Sequence, residues 1–376
     1  MEQQHKYMVR VSCMTYNHAP YIEDAMNGFC MQETTFPFVC TIVDDASTDG
    51  EQEVIKKYLD EHFDLNDDSV VRNEETDDYC LTFAQHKTNR NCFFAVLFLK
   101  YNHYSINKPR GAYYKEWCDT KYIAICEGDD YWIAPNKLQM QVEFMEGNKD
   151  YSMCFGDVKY YNADKQFSKG NISVLFRNDN RSIERYNGEQ LFYRIMMGKV
   201  HIQTMTVLYR NELIDRIVKN EVGFLMGDTP MWLDLSQQGR IKYLDYVYGV
   251  YNIHHSSTTH NPEKKLKFSL SMFEMRCYYC EKYGYSIPKQ IKKKYNTAYK
   301  DIVALSDEIK TAPIYGLFKL NPIQFKFDTL VLNNGFVRSL YKKMFPVIHF
   351  KRWFCVKMNI LKRALVNWFT YKFVNK

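Results

Sequence analysis

The sequence has no purely apolar run longer than eight residues, Cys92–Leu99. A membrane-spanning helix needs about 20, so none is expected, and that run reads as a buried strand or helix segment. No charged n-region followed by an apolar h-region stands at the N-terminus, so the expectation is no signal peptide and a reduced, cytoplasmic compartment. Pairing logic is missing among the cysteines, which number eleven and are irregularly spaced, with one CxxC at Cys277–Cys280. A zinc site needs a second ligand pair, so the thiols read as structural. Also lacking are a glycine-rich P-loop, a G-x-G-x-x-G after the first strand, internal repeats and low-complexity segments. A disordered chain is excluded by a composition that is 46% hydrophobic and 16% aromatic.

Charge is present but divided. From Lys264 to Lys376 there are 23 Lys/Arg and 6 Asp/Glu, a net of +17, whereas the first 263 residues hold 27 and 38, a net of −11. Asp328 is the last acidic residue, and ten Lys/Arg follow it in 48 residues. The same stretch interleaves aromatics such as Phe345, Trp353 and Trp368 with the basic residues. That composition suits a segment lying on an anionic membrane surface. Nucleic acid is not expected as a partner, because no recognition module is visible.

Residues 8–150 alternate short β-like runs with helical periodicity. Met8–Met14 reads as a strand, followed by a helix with Ile22, Ala25, Met26, Phe29 and Cys30 on one face. Phe38–Val43 is a second strand. Thr48 and Glu51 have capping-box spacing, and Val54, Ile55, Tyr58 and Leu59 mark the helix after them. Tyr122–Cys126 is a further strand, and Pro135 opens a helix with Leu138, Val142 and Met145 inward. Strand–loop–helix repetition predicts an α/β fold with a doubly wound, mostly parallel sheet. Residues 151–263 are less regular, with a helix start at Asp228-Thr229-Pro230. Residues 264–376 read as helical and basic, broken by Pro288, Pro313, Pro322 and Pro346. The expected division is a body over 1–263, with halves of about 8–150 and 151–263, and a basic extension over 264–376.

In such sheets ligands sit outside the carboxyl ends of the strands. Three polar clusters fall there: Met14-Thr15-Tyr16-Asn17, Asp44-Asp45 and Asp129-Asp130. Two adjacent carboxylates behind a buried strand repel one another unless a cation or hydrogen-bond donors compensate. Mg²⁺ and Mn²⁺ take carboxylate oxygens and often bridge to phosphates, so a metal is the expected neutraliser of any bound phosphate here.

Together with Met226–Leu233 and Tyr251–Ser256, these clusters make the sequence resemble the inverting family-2 glycosyltransferases of GT-A fold (a Rossmann-like architecture). The resemblance is greatest to bacterial members acting in surface-polysaccharide assembly, and it covers about residues 8–260. It rests on Val11–Asn17, Val43–Asp49 and Cys126–Trp132 as well. It implies transfer of a sugar from a nucleotide-sugar donor, such as a UDP-sugar, to a saccharide or lipid-linked acceptor at the inner face of a cell membrane. By the same resemblance Thr15, Tyr16, Asp44, Asp45 and Asp129 bind the donor, Asp130 and His254 hold Mn²⁺ or Mg²⁺, and Asp228 is the catalytic base. Gly227 and Asn252 depart from the family's frequent Glu and Arg. Plainer roles exist for several of these: a helix N-cap for Asp228, core packing for Trp132, and structural roles for His201, Thr204 and Arg210. Two other activities stay open, a sugar-phosphate nucleotidyltransferase and a catalytically silent membrane-surface adaptor.

Overall fold

A computed structural model describes residues 5–67, 71–106, 108–162, 179–217, 224–253 and 262–291. The chain divides into two compact units, Met1–Gly223 with Gly227–Ser257, and Phe224–Met226 with Thr258–Lys376.

The first unit is built on one mixed sheet. Its strands are β1 (Tyr7–Thr15), β2 (Phe38–Asp44), β3 (Phe63–Asp64), β4 (Arg72–Glu75), β5 (Tyr79–His86) and β6 (Cys92–Leu99). They continue with β7 (Thr120–Ile125), β8 (Tyr131–Trp132), β9 (Tyr151–Asn162), β10 (Leu208–Arg210) and β11 (Arg240–Ile253). The spatial order is β3-β5-β6-β2-β1-β7-β10-β9-β11-β8, with β4 on β5. The centre, β6-β2-β1-β7, is parallel throughout. To one side β5 turns antiparallel on β6; to the other β10 lies antiparallel between β7 and β9. The apolar run Cys92–Leu99 is therefore a central strand.

Helices α1 (Ile22–Cys30), α2 (Glu51–His62), α3 (Lys137–Gly147), α4 (Gly188–Met196) and α5 (Asp228–Ser236) belong to this unit, with short 3-10 helices such as Gly111–Cys118 between strands. Every residue of β2 is buried, because both faces of the sheet are covered. Cys40 and Ile42 share one cluster with Phe94, Val96 and α1's Met26 and Phe29. Val39 and Val43 point the other way, to Ala95, Leu97 and Trp117. This period-2 division, with each large side chain contributing about 1.5–3 kcal/mol on burial, sets the register of the central strands.

The helical face read from α1 is buried as expected at Ile22, Ala25, Met26 and Phe29. Gly28 lets that helix approach β8 closely: a Cβ there would lie 2.8 Å from Trp132 N. The Thr48–Glu51 capping box does not form. The N-cap of α2 is Gly50, at φ +92°, and Glu51 turns its carboxylate inward instead.

In the second unit, α6 (Pro262–Lys282) buries Phe273, Met275, Cys277, Tyr279 and Cys280. Phe224 meets the rings of Tyr278 and Tyr279 at 5.7 and 6.5 Å. The CxxC thiols are both buried and form no disulfide. No described helix is long and apolar enough to cross a membrane. The apolar and basic residues after Ile291 that suggested membrane contact lie outside the described residues.

Candidate active site

Parallel pairing aligns three strand ends. Thr15 stands opposite Asp44 in the β1–β2 ladder. Beyond β7 the chain keeps step with β1, Cys126 N–H bonding Ser12 O at 3.1 Å and Gly128 N–H bonding Met14 O at 3.2 Å. The three polar clusters expected from the sequence therefore share one edge of the sheet.

The turns leaving β1 and β2 each contain a non-glycine residue in the left-handed region, Asn17 at φ +56° and Ala46 at φ +62°. Such residues are costly and persist where surrounding bonds hold them. Asn17 N–H donates to Ser47 Oγ at 2.8 Å, and Thr48 N–H donates to Asn17 Oδ1 at 2.8 Å. Both turns converge on Glu51, which is fully buried. Its carboxylate accepts the Thr15 hydroxyl, the His18 N–H at 2.9 Å and the Ser47 hydroxyl at 2.7 Å. Sequence reading gave Glu51 only a capping role; its function as a hub depends on contacts 33 and 36 residues away.

Asp44 is buried at the end of β2, where it accepts the Ser47 N–H and the Gln52 side-chain amide. Burial pushes its carboxyl up to about 6, against the lowering effect of the Ser47 and Gln52 hydrogen bonds. Asp45 is buried too. Its Oδ1 accepts His103 N–H at 2.7 Å; its Oδ2 accepts Tyr104 N–H at 3.0 Å and pairs with Arg110 Nη1 at 2.8 Å. Asp45 thus ties the 101–110 loop to the end of β2. Nothing in the local sequence marks Arg110, 65 residues away, as its partner. Tyr16 is 44% exposed beside these turns.

The acidic segment holds Glu127, Asp129 and Asp130 with one carboxylate oxygen of each within 4.8 Å of the others. Asp130 is almost fully buried, and its Oδ1 accepts Asn252 N–H at 2.9 Å. Asn252 also donates its side-chain amide to Asp129 O at 2.6 Å, so the residue that replaces a frequent Arg clasps the acidic segment from β11. Burial, then Asp129, raise the Asp130 carboxyl well above the usual range. Glu127 is exposed on the surface of this segment. Loss of part of its hydration, then the neighbouring charges of Asp129 and Asp228, raise its carboxyl above the usual range. Three carboxylates crowded this way are the donor set of a hard divalent cation, whose charge would relieve their repulsion. The residues present therefore fit Mg²⁺ or Mn²⁺.

Asp228 is the first residue of α5, with Gly227 as the N-cap, so Asp228 is not itself the cap. Its Oδ1 accepts the Thr229 N–H at 2.6 Å. Its electrostatic influence on Glu127 places it near the acidic segment. Trp132 is core, with Nε1 donating to Met205 O at 2.7 Å. Arg210 is structural: it donates to Met145 O at 2.7 Å and Asn148 O at 3.0 Å, at the C-terminal end of α3 where a cation is favoured. His254 lies outside the described residues.

Comparison with known proteins adds to this geometry. Uncharacterized proteins of Mycobacterium tuberculosis and Mycobacterium bovis are 27% identical over 199 residues, 53% of this chain and 46% of theirs. The matched region thus spans about half the length of these curated relatives. Among solved structures, S. aureus TarS 1-349 is 17% identical, covering 92% of this chain and 87% of that one at a TM-score of 0.47. The mannosyltransferase PcManGT from Pyrobaculum calidifontis, in complex with GDP-Man and Mn²⁺, is 12% identical, covering 91% and 84% at a TM-score of 0.49. Residues 13–76, which carry Thr15, Tyr16, Asp44 and Asp45, match Glycosyl transferase family 2, and over that segment the chain is similar to this family.

Proposed function

We propose that the chain is a metal-dependent inverting glycosyltransferase acting on a nucleotide-sugar, with a UDP-sugar as the first donor to test and a saccharide or lipid-linked molecule as acceptor. One observation carries this reading: the ends of β2, β1 and β7, adjacent and parallel, bring Asp44–Asp45, Thr15–Tyr16 and the Glu127–Asp130 acids to one edge. That edge is where an open α/β sheet binds its ligand.

In this reading Asp130 holds the cation as the resemblance implies, and Asp129, expected from the resemblance to contact the donor, joins it as a ligand with Glu127 beside them. When bound, Mg²⁺ or Mn²⁺ supplies charge stabilisation for the departing nucleoside diphosphate. Tyr16 offers an exposed ring to the base, and Asp45 holds His103 and Tyr104 against the end of β2. Asp228, at the N-terminus of α5, accepts the proton of the acceptor hydroxyl as that oxygen attacks the anomeric carbon. One base and one in-line displacement invert the configuration at that carbon. The basic region Lys264–Lys376 is proposed to keep the enzyme at an anionic membrane surface. Sedimentation of the full chain with anionic-lipid vesicles, lost as salt is raised, is the expected behaviour.

Nucleoside diphosphate release, measured over a panel of nucleotide-sugars with Mn²⁺ and candidate acceptors, tests the enzymatic reading. Asp228→Asn is expected to lower turnover by about 10²–10⁴-fold. Full turnover by Asp130→Ala or Asp228→Ala overturns the assignment. No release from any donor, with no thermal stabilisation by UDP and Mn²⁺, supports a silent adaptor instead.

A further inference from the structure

Asp45 is closed to a ligand. Its side chain is 4% exposed, against 26% for its partner Arg110. Three protein donors already converge on it: the His103 N–H at 2.7 Å, the Tyr104 N–H at 3.0 Å and Arg110 Nη1 at 2.8 Å. A nucleobase could offer its imino hydrogen to this carboxylate only by displacing them, and breaking a buried charged pair is strongly unfavourable. The loop that supplies these donors leaves β6 beside Asp44, which pairs with Phe98 in the parallel β2–β6 ladder. A second carboxylate holds the same loop: Asp78 accepts Lys108 Nζ at 2.8 Å, the Tyr113 hydroxyl at 2.7 Å and the Tyr101 hydroxyl. Lys108 N–H closes the turn on His103 O at 2.9 Å. Two carboxylates thus fix the loop that carries Arg110 to the sheet edge.

That edge is long enough for a donor nucleotide. From β7 through β1 and β2 to β6 there are three strand spacings, about 14 Å. A nucleoside diphosphate lying along it, with its phosphates at the acidic segment after β7, carries its base to the ends of β2 and β6. Arg110 stands there. A guanidinium has five N–H donors and no acceptor. One is committed to Asp45, and among the described residues no protein acceptor takes the others. We propose that Arg110 reads the base by donating to a keto oxygen. Asp45, expected from the resemblance to bind the donor, is instead a positioning residue that aims Arg110 and the loop after β6. The inference rests on the glycosyltransferase reading above and deepens it, because it assigns the donor a keto base, uracil or guanine. Cytosine or adenine would turn an amino group toward the guanidinium, donor against donor, and leave both unpaired.

The test is calorimetric titration of the full chain with two pairs of nucleotides, UDP against CDP and GDP against ADP, each with Mn²⁺. In the pair that binds more tightly, the wild-type chain is expected to favour the keto member by about 10-fold. Arg110→Met should bring that member down to the affinity of its amino counterpart. Arg110→Lys restores a cation beside Asp45 without the planar fork, so it should recover the melting temperature and only part of the discrimination. Asp45→Asn should weaken both members alike, because it loosens the loop without removing the reader. A merely structural Arg110 would lower both affinities together and leave their ratio unchanged. Three results overturn the inference and leave the glycosyltransferase reading standing: equal binding of keto and amino members by the wild type, an undiminished ratio in Arg110→Met, or a ratio lost in Asp45→Asn alone. Binding of none of the four nucleotides overturns both.

Discussion

Gly128 has no side chain at the point where Thr15 presses against it: a Cβ added there would lie 2.6 Å from Thr15 Cβ and 3.1 Å from Ile22 Cδ1. The acidic segment and the β1 turn are thus fitted together through the one residue type that leaves the space open. Thr15 is simultaneously bonded to Glu51, so it cannot step aside without breaking the hub of both turns.

Gly128→Ala should therefore cost stability and function together. Overpacking of this kind typically costs about 1–3 kcal/mol. Urea unfolding would read the first loss and donor turnover the second. Wild-type behaviour in both would mean that Thr15 can move freely.

Glu51→Ala leaves the Thr15 hydroxyl, the Ser47 hydroxyl and the His18 N–H without their shared buried acceptor. Unsatisfied buried groups and lost bonds to a charged partner each cost about 1–3 kcal/mol, so a destabilisation of about 3 kcal/mol is expected. Chemical denaturation measures it.

Arg110→Met removes the cation that pairs with buried Asp45 while leaving the backbone bonds from His103 and Tyr104. A stability loss of about 1–3 kcal/mol and weaker nucleoside diphosphate binding are expected. Calorimetric titration with UDP, alongside a thermal melt, separates the two effects.

Lys137 gives the fold a pH signature. It is fully buried, bonds Gln141 Oε1 at 2.8 Å and lies 4.1 Å from the centre of the Trp132 ring. Burial pulls its ammonium down from an ordinary value of 10.5 to about 7. Between those values the unfolded chain binds the proton and the folded chain does not, so this group makes stability rise as pH climbs from about 7 toward 10. Below about 7 both states are protonated, and its burial cost is then present in full. Lys137→Met should flatten that rise and stabilise the fold at pH 6. Urea midpoints measured from pH 6 to 10 test this.

The helical face of α1, the strands Met8–Met14 and Phe38–Val43, and the three acidic or polar strand ends are all legible in the sequence. Each rests on a local pattern: a period of 3.6 or 2, or a polar cluster directly after an apolar run. The same locality explains the Thr48–Glu51 reading. Spacing alone suggested a capping box, but buried donors from β1 and the β2 turn compete for that carboxylate and take it. The antiparallel strand β10, three residues long, carries too little pattern to announce its place between β7 and β9.

What the sequence determined by itself is which residue types stand at the strand ends, because chain direction and hydrophobic period already dictate where each strand stops. What those residues do to one another was decided only by tertiary structure. Asp45 meets Arg110 across 65 residues, and Asp130 meets Asn252 across 122. Hydrogen bonds and ion pairs depend on ångström distances, and only the assembled sheet sets those distances between segments so far apart in the chain.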